Sequence, residues 1–185
     1  MIVINEHESP SYQPRTKYNA SKADLTVAFA VDLSTYGEQA TKKFAGTKYI
    51  GFDLLSPSCT IENMVGLLVY EMQVKNLKTL NIAGNGIYTL TKFGMSQPQI
   101  NQIVYEVIHN CHHLWPISKI YTGGQTGVDI AGAVAAIACQ IPVEITFPKG
   151  FKQRNENGKD SNHTRESILG QLAGMIEHLV TQCDA

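Results

Sequence analysis

Charge is scarce in this chain. Charged residues make up 17% of the 185, and 15 Lys+Arg set against 16 Asp+Glu leave a formal charge of −1, where soluble domains usually carry about a quarter. With no surplus of positive charge to track a phosphate backbone, duplex DNA or RNA is not an expected partner. Long hydrophobic runs are missing as well. No stretch approaches the roughly 20 apolar residues of a membrane span. The start, Met1 to Glu8, lacks a basic segment followed by an apolar one, so a cytoplasmic, unprocessed protein without a membrane partner is expected. Cysteine is sparse and scattered. Cys59, Cys111, Cys139 and Cys183 form no CxxC pair and have no His at metal-finger spacing, which predicts free thiols in a reducing compartment. With so few charges, much of the polar surface must be Asn, Gln, Ser and Thr. Such a surface suits self-association, and a homo-oligomer is expected.

What is present is enough for a core. Apolar residues reach 43%, and the length predicts one domain over residues 1–185. Short β-rich runs alternate with helical patterns, the signature of an α/β fold with a doubly wound, mainly parallel sheet. Strands are predicted at Ile2 to Asn5, Leu25 to Val31, Lys48 to Phe52, Thr79 to Ala83, Lys119 to Tyr121 and Val143 to Phe147. Ser96-Gln97-Pro98-Gln99 reads as a capping box opening a helix, with Ile100, Ile103, Val104, Val107, Ile108 and Cys111 on one face. Ile168, Leu172, Met175, Ile176 and Leu179 predict a closing amphipathic helix.

The chemistry concentrates in loops. Thr122-Gly123-Gly124-Gln125-Thr126-Gly127-Val128-Asp129 runs from a strand through two glycines into a small-residue helix. Glycines there let the backbone approach a ligand, and the free N–H groups and positive dipole end of the helix favour an anion such as phosphate. No Gly-Lys-Ser/Thr follows and GxGxxG spacing is absent, which disfavours an ATPase or an ordinary dinucleotide site. The same residues fit a tight strand-to-helix turn with Thr126 as N-cap and Asp129 as its capping partner. Lys149 to Asn162 is a long polar segment, with Lys149, Lys152, Arg154 and Lys159 available to close over an anion as a lid. Asn85, between Gly84 and Gly86, fits a cleft-lining residue and a turn residue equally well. His109 and His113 stand four apart on a helix beside Glu106 and His112, but no third ligand is identifiable, so a solvated face is expected and no metal site.

Thr-Gly-Gly-Gln-Thr-Gly-Val-Asp followed by a small-residue helix resembles the molybdenum carrier family, part of the SLOG superfamily that also includes the Lonely Guy phosphoribohydrolases. Phe147-Pro148-Lys149-Gly150, with Arg154, Glu156 and Gly158 beyond it, is similar to that family's Pro-Lys-Gly segment and polar loop. The family's Arg-Thr-x-x-Asn element, leading into an Asp-containing strand, occurs here at the N-terminus as Arg15-Thr16-Lys17-Tyr18-Asn19 and Asp24-Leu25. The chain thus resembles a circular permutant, which requires residues 10–16 to lie near the Lys149 to Asn162 loop. The resemblance implies a Rossmann-like SLOG fold. It places Gly123, Gly124, Gln125, Thr126, Gly127 and Asp129 in an anion loop with Lys149 beside it, and Arg15, Thr16 and Asn19 along the same cleft. A second loop, Ser34 to Thr41, would contribute Thr35, Gly37 and, where the superfamily's hydrolases carry a catalytic Glu, Glu38. Thr35-x-x-Glu38 fits a capping box as well.

Three functions follow as expectations. The first is non-catalytic: holding a nucleotide or nucleotide-derived phosphorylated small molecule so as to carry, sense or sequester it, with no cofactor required. The second is nucleotide N-glycoside hydrolysis with Glu38 or Asp129 acting on the glycosidic bond. The third, implied by the resemblance, is carriage of molybdate or the molybdenum cofactor. Small members of the superfamily commonly pair through helices next to the site, in line with a dimer or higher oligomer.

Overall fold

The sheet has two chemically different faces, and that difference decides where the site lies. In the computed structural model, which describes residues 1–183, the elements run β1 (Ile2–Glu6), α1 (Tyr12–Lys22), β2 (Leu25–Ala30), α2 (Tyr36–Ala45), β3 (Tyr49–Asp53), α3 (Ile61–Val74) and β4 (Thr79–Gly84). They continue as α4 (Ile87–Lys92), α5 (Gln97–Leu114), β5 (Lys119–Gly123), α6 (Val128–Ala138), β6 (Val143–Phe147), β7 (Gln153–Arg154), β8 (Asp160–Ser161) and α7 (Arg165–Cys183). The six long strands are those expected, and they form one parallel sheet in the order β1-β6-β5-β4-β2-β3. The architecture is a Rossmann-like doubly wound α/β fold.

Strand register groups the residues into rows. Leu25, Leu80, Ile120 and Val143 lie side by side, as do Ile50, Val27, Ile82, Thr122, Ile145 and Ile4. This face is apolar and mostly sealed, and Gly132 of α6 lies directly on Ile82 and Thr122. Helices α3, α5, α6 and α7 cover it, and nearly all the large buried side chains belong to this layer. Each such side chain contributes about 1.5–3 kcal/mol by leaving water, so this half of the molecule supplies most of the driving force for folding.

The opposite face carries Tyr49, Thr26, Asn81, Tyr121 and Glu144 in one row and Gly51, Ala28, Ala83, Gly123, Thr146 and Asn5 in the next. These side chains are polar or small. Parallel sheets are usually apolar on both faces, so this alternation sets the face apart. Helices α1 and α2 cover it and pack on each other. The residues that α1 buries are Arg15, Asn19 and Ala20, two polar side chains and one small one in place of an apolar stripe. Tyr18 of α1 donates to Glu144 on the sheet, which also accepts from Lys119 at 2.7 Å. A small-residue floor under a polar helix leaves a cavity.

The caps agree in part with the sequence. Ser96 and Gln99 form the expected capping box at α5. At α6 the N-cap is Gly127 and not Thr126; the Thr126 hydroxyl is turned away to donate to the Arg154 carbonyl. The closing helix α7 buries Ile168, Leu172 and Leu179 against α5 and α6. Cys59, Cys111 and Cys139 are free thiols, while the Cys183 side chain lies outside the described residues. No helix among the described residues is long and apolar enough to cross a membrane.

Candidate functional site

Strand β2 leads outward to β3 on one side, while β4 leads to β5 and β6 on the other. Between β2 and β4 the winding reverses, and at such a switch point the loops diverge and leave a crevice outside the strand ends. A cavity of about 720 Å³ opens there, well within the size range of small-molecule sites. Its floor is the polar face of the sheet (Asn81, Ala83, Gly123), its walls are α1 and the first turns of α2, and its rim reaches Tyr88 of α4 and Arg154 of β7.

Arg15 and Asp129 form the inner wall. Arg15 Nη1 donates to Asp129 Oδ2 at 2.5 Å, and both side chains are almost wholly buried. They lie directly over Gly123, where a Cβ would overlap both, so only glycine lets the strand end pass beneath the pair. Gly124 has a different reason. A Cβ there would fall inside the Phe147 ring, and the residue packs against the apolar core and is not part of the cavity lining. Burial pushes the Asp129 carboxyl above its ordinary value, while the Arg15 guanidinium and the Gln125 amide pull it back.

The glycine loop is less free than the sequence suggests. The Gln125 amide is taken by Asp129 itself, Gly127 donates to Gln97 Oε1 at 2.6 Å, and Val128 donates to the Asn85 carbonyl at 3.1 Å. Of the six loop residues expected around an anion, Gly123, Gln125 and Asp129 line the cavity, whereas Gly124, Thr126 and Gly127 hold the loop in place. Asp129 is not the capping partner of Thr126 but the counter-ion of Arg15.

Arg15, Thr16, Asn19, Thr35, Gly37, Glu38 and Asn85 all line the cavity. Their duties differ. Asn85 accepts from the Val31 and Asp32 amides, both at 2.9 Å, and donates to the Asp32 carbonyl, so its amide ties the β4 end to the loop before α2. Thr35 caps α2 by accepting from the Glu38 amide at 3.3 Å. The capping box is only half made. The Glu38 side chain does not turn back to the cap. It is buried in the cavity, and burial, then the Asp129 and Asp32 carboxylates, push its carboxyl up to about 8.

Lys149 is corrected by the structure. It is exposed and outside the cavity lining, and its amide donates to the Ser9 carbonyl. The polar segment that follows is not a free lid but a short β7–β8 hairpin, fastened at several points. Tyr12 donates to Asp160 at 3.1 Å, the Arg154 amide donates to Gln125 Oε1 at 3.0 Å, and Arg154 pairs with Asp160. Residues 10–16 and the 149–162 segment therefore touch. Burial and Asp160 together raise the Tyr12 phenol far above its ordinary value.

Three residues not singled out from sequence complete the rim: Tyr12, Tyr36 and Tyr88. Tyr36 is 78% exposed and Tyr88 40% exposed. Gln13 donates to the Tyr36 hydroxyl at 2.6 Å, and Lys92 lies over the Tyr88 ring at 3.8 Å. Asn81 was also missed, although its place opposite Ile82 in a period-2 strand marks it as a polar-face residue. Among the described residues five buried side-chain polar atoms have no partner, and three of them, Arg15 Nε, Asn19 Oδ1 and Glu38 Oε2, are on residues that line this one cavity. Buried polar groups are almost always satisfied, so three such atoms on the lining of one cavity are exceptional. No cluster of three or more potential metal ligands exists among the described residues. No family model matches the chain, and a comparison with curated proteins returns no match.

Proposed function

We propose that the protein binds a nucleotide or a nucleotide-derived phosphorylated small molecule in the switch-point cavity and holds it for carriage, sensing or sequestration. The observation that carries this is the set of three buried, unpartnered polar atoms on Arg15, Asn19 and Glu38, three residues that line one cavity of about 720 Å³. Leaving such atoms unpaired costs about 1–3 kcal/mol each, and a ligand that satisfies them recovers it. Phosphate is best served by the first turn of α2, where Tyr36 and Gly37 line the cavity at the positive end of the helix, with Arg154 at the rim. Free molybdate fits less well. A single tetrahedral oxyanion would leave most of this volume empty.

The test is to incubate the purified protein with a pool of nucleotides, dinucleotides and molybdate, wash by filtration, denature, and identify the released species by mass spectrometry. One intact nucleotide-like compound at stoichiometric yield supports the proposal. Recovery of molybdenum, or of nothing, refutes it.

Glu38 favours a second function, N-glycoside hydrolysis. A carboxyl held protonated near neutral pH beside a second carboxyl, Asp129, is the pairing by which sites separate a general acid from a charge-stabilising group. Loss of a nucleotide from the same pool with release of free base, abolished by Glu38→Gln while binding persists, would establish it.

A further inference from the structure

The polarity of the cavity changes with depth. The inner walls hold Arg15, Asn19 and Glu38, each no more than 6% exposed, with their unpartnered atoms. These atoms are one guanidinium N–H and two carbonyl- or carboxyl-type oxygens. A phosphate could accept from the guanidinium and from a protonated Glu38 but would meet the lone pairs of the Asn19 oxygen, to which it can donate nothing when fully ionised. A hydroxyl group both donates and accepts, and adjacent hydroxyls on one ring can satisfy all three atoms. Glu38, carrying its proton at neutral pH, also serves a hydroxyl oxygen as donor. No aromatic ring belongs to the floor. The rings are at the rim, where Tyr36 is largely exposed and Tyr88, with Lys92 over one side of its ring, is partly exposed. Exposed aromatic faces are suited to a flat base, because every base has a π-face and stacking tolerates solvent on one side.

Resting on the nucleotide-binding proposal, we infer that the ligand enters sugar first, with its vicinal 2′ and 3′ hydroxyls on Arg15, Asn19 and Glu38 and its base left at the rim against Tyr36 and Tyr88. The orientation makes the site selective for ribose over deoxyribose and permissive toward the base. A deoxyribose would leave at least one buried atom unpaired, and sites built to hydrogen-bond a hydroxyl discriminate strongly against its absence.

Adenosine 5′-monophosphate, its 2′-deoxy analogue and ribose 5-phosphate serve as probes in titration calorimetry with wild type, Tyr36→Leu and Tyr88→Leu, both substitutions being at exposed positions that leave folding intact. The 2′-deoxy analogue is expected to bind wild type at least about tenfold more weakly than adenosine monophosphate. The tyrosine variants are expected to weaken adenosine monophosphate by about tenfold and to leave ribose 5-phosphate unchanged. Equal binding of the ribo and deoxy forms, or tyrosine variants that weaken both ribose probes alike or neither, would overturn the orientation while leaving nucleotide binding intact. Failure of wild type to bind any of the three would remove the nucleotide proposal and the orientation with it.

Discussion

Glu38 is the residue at which binding and stability conflict most directly. The folded protein keeps a proton on this carboxyl up to about 8, whereas the unfolded chain releases it near the ordinary value of 4.5. Between those values the native state binds more protons, so the stability contributed at low pH is lost as pH rises through this window. Glu38→Gln removes the titration. It is expected to flatten the pH dependence of Tm between pH 5 and 8 and to stabilise the protein at pH 7 by roughly 3 kcal/mol, read by urea denaturation; an unchanged pH profile would refute the assignment. Thr146, also on the polar face, buries a hydroxyl with no partner. Its near-isosteric replacement by Val is expected to gain about 1 kcal/mol, measured in the same way. Arg15 behaves in the opposite sense. Its removal strands the buried Asp129 charge, and Arg15→Ala is expected to cost about 3–5 kcal/mol.

Among the elements, the β7–β8 hairpin is the one most dependent on tertiary contacts. Two residues per strand cannot stand alone. Tyr12 and Thr126 hold it from outside, and the double substitution Tyr12→Phe with Thr126→Val is expected to raise amide exchange over residues 153–161 by about tenfold while leaving that of β2 and β4 unchanged. Uniform acceleration across the sheet would show instead that the hairpin belongs to the global unfolding unit. The central elements were legible in the sequence because their signals are local. Val143 to Phe147 is bounded as expected, and Ser96 and Gln99 form their capping box, since apolar periodicity and caps depend on neighbours in the chain. The hairpin was not legible, because its pairing is set by contacts with α1 and the glycine loop. Lys149 was misplaced for the same reason: a motif fixes neighbours in sequence, whereas the direction of the chain after β6 is fixed by Ser9.

For the whole molecule, the two-faced sheet divides labour. The apolar face carries stability and the polar face carries the site, so substitutions on adjacent residues of one strand should separate the two. Ile82→Ala is expected to destabilise by about 2–5 kcal/mol with little change in ligand affinity. Asn81→Ala, one residue earlier and on the opposite face, is expected to alter affinity more than stability. Thermal unfolding and the calorimetric titration read the two effects independently, and equal losses in both variants would refute the division. Alternation within β4 made this face readable in principle, but only the register across six strands shows that small and polar residues line up into a floor.

The walls of the site come from distant parts of the chain. Arg15 meets Asp129 across 114 residues, Tyr12 meets Asp160 across 148, and Glu6 meets Gly150 across 144. During synthesis β1 must wait, unpaired, until β6 has emerged, and closure over such long loops is slow. A ligand that reaches from Arg15 on α1 to Arg154 on β7 would then act as a late clasp. It would count for more in keeping the ends of the fold together than in shaping the crevice it fills.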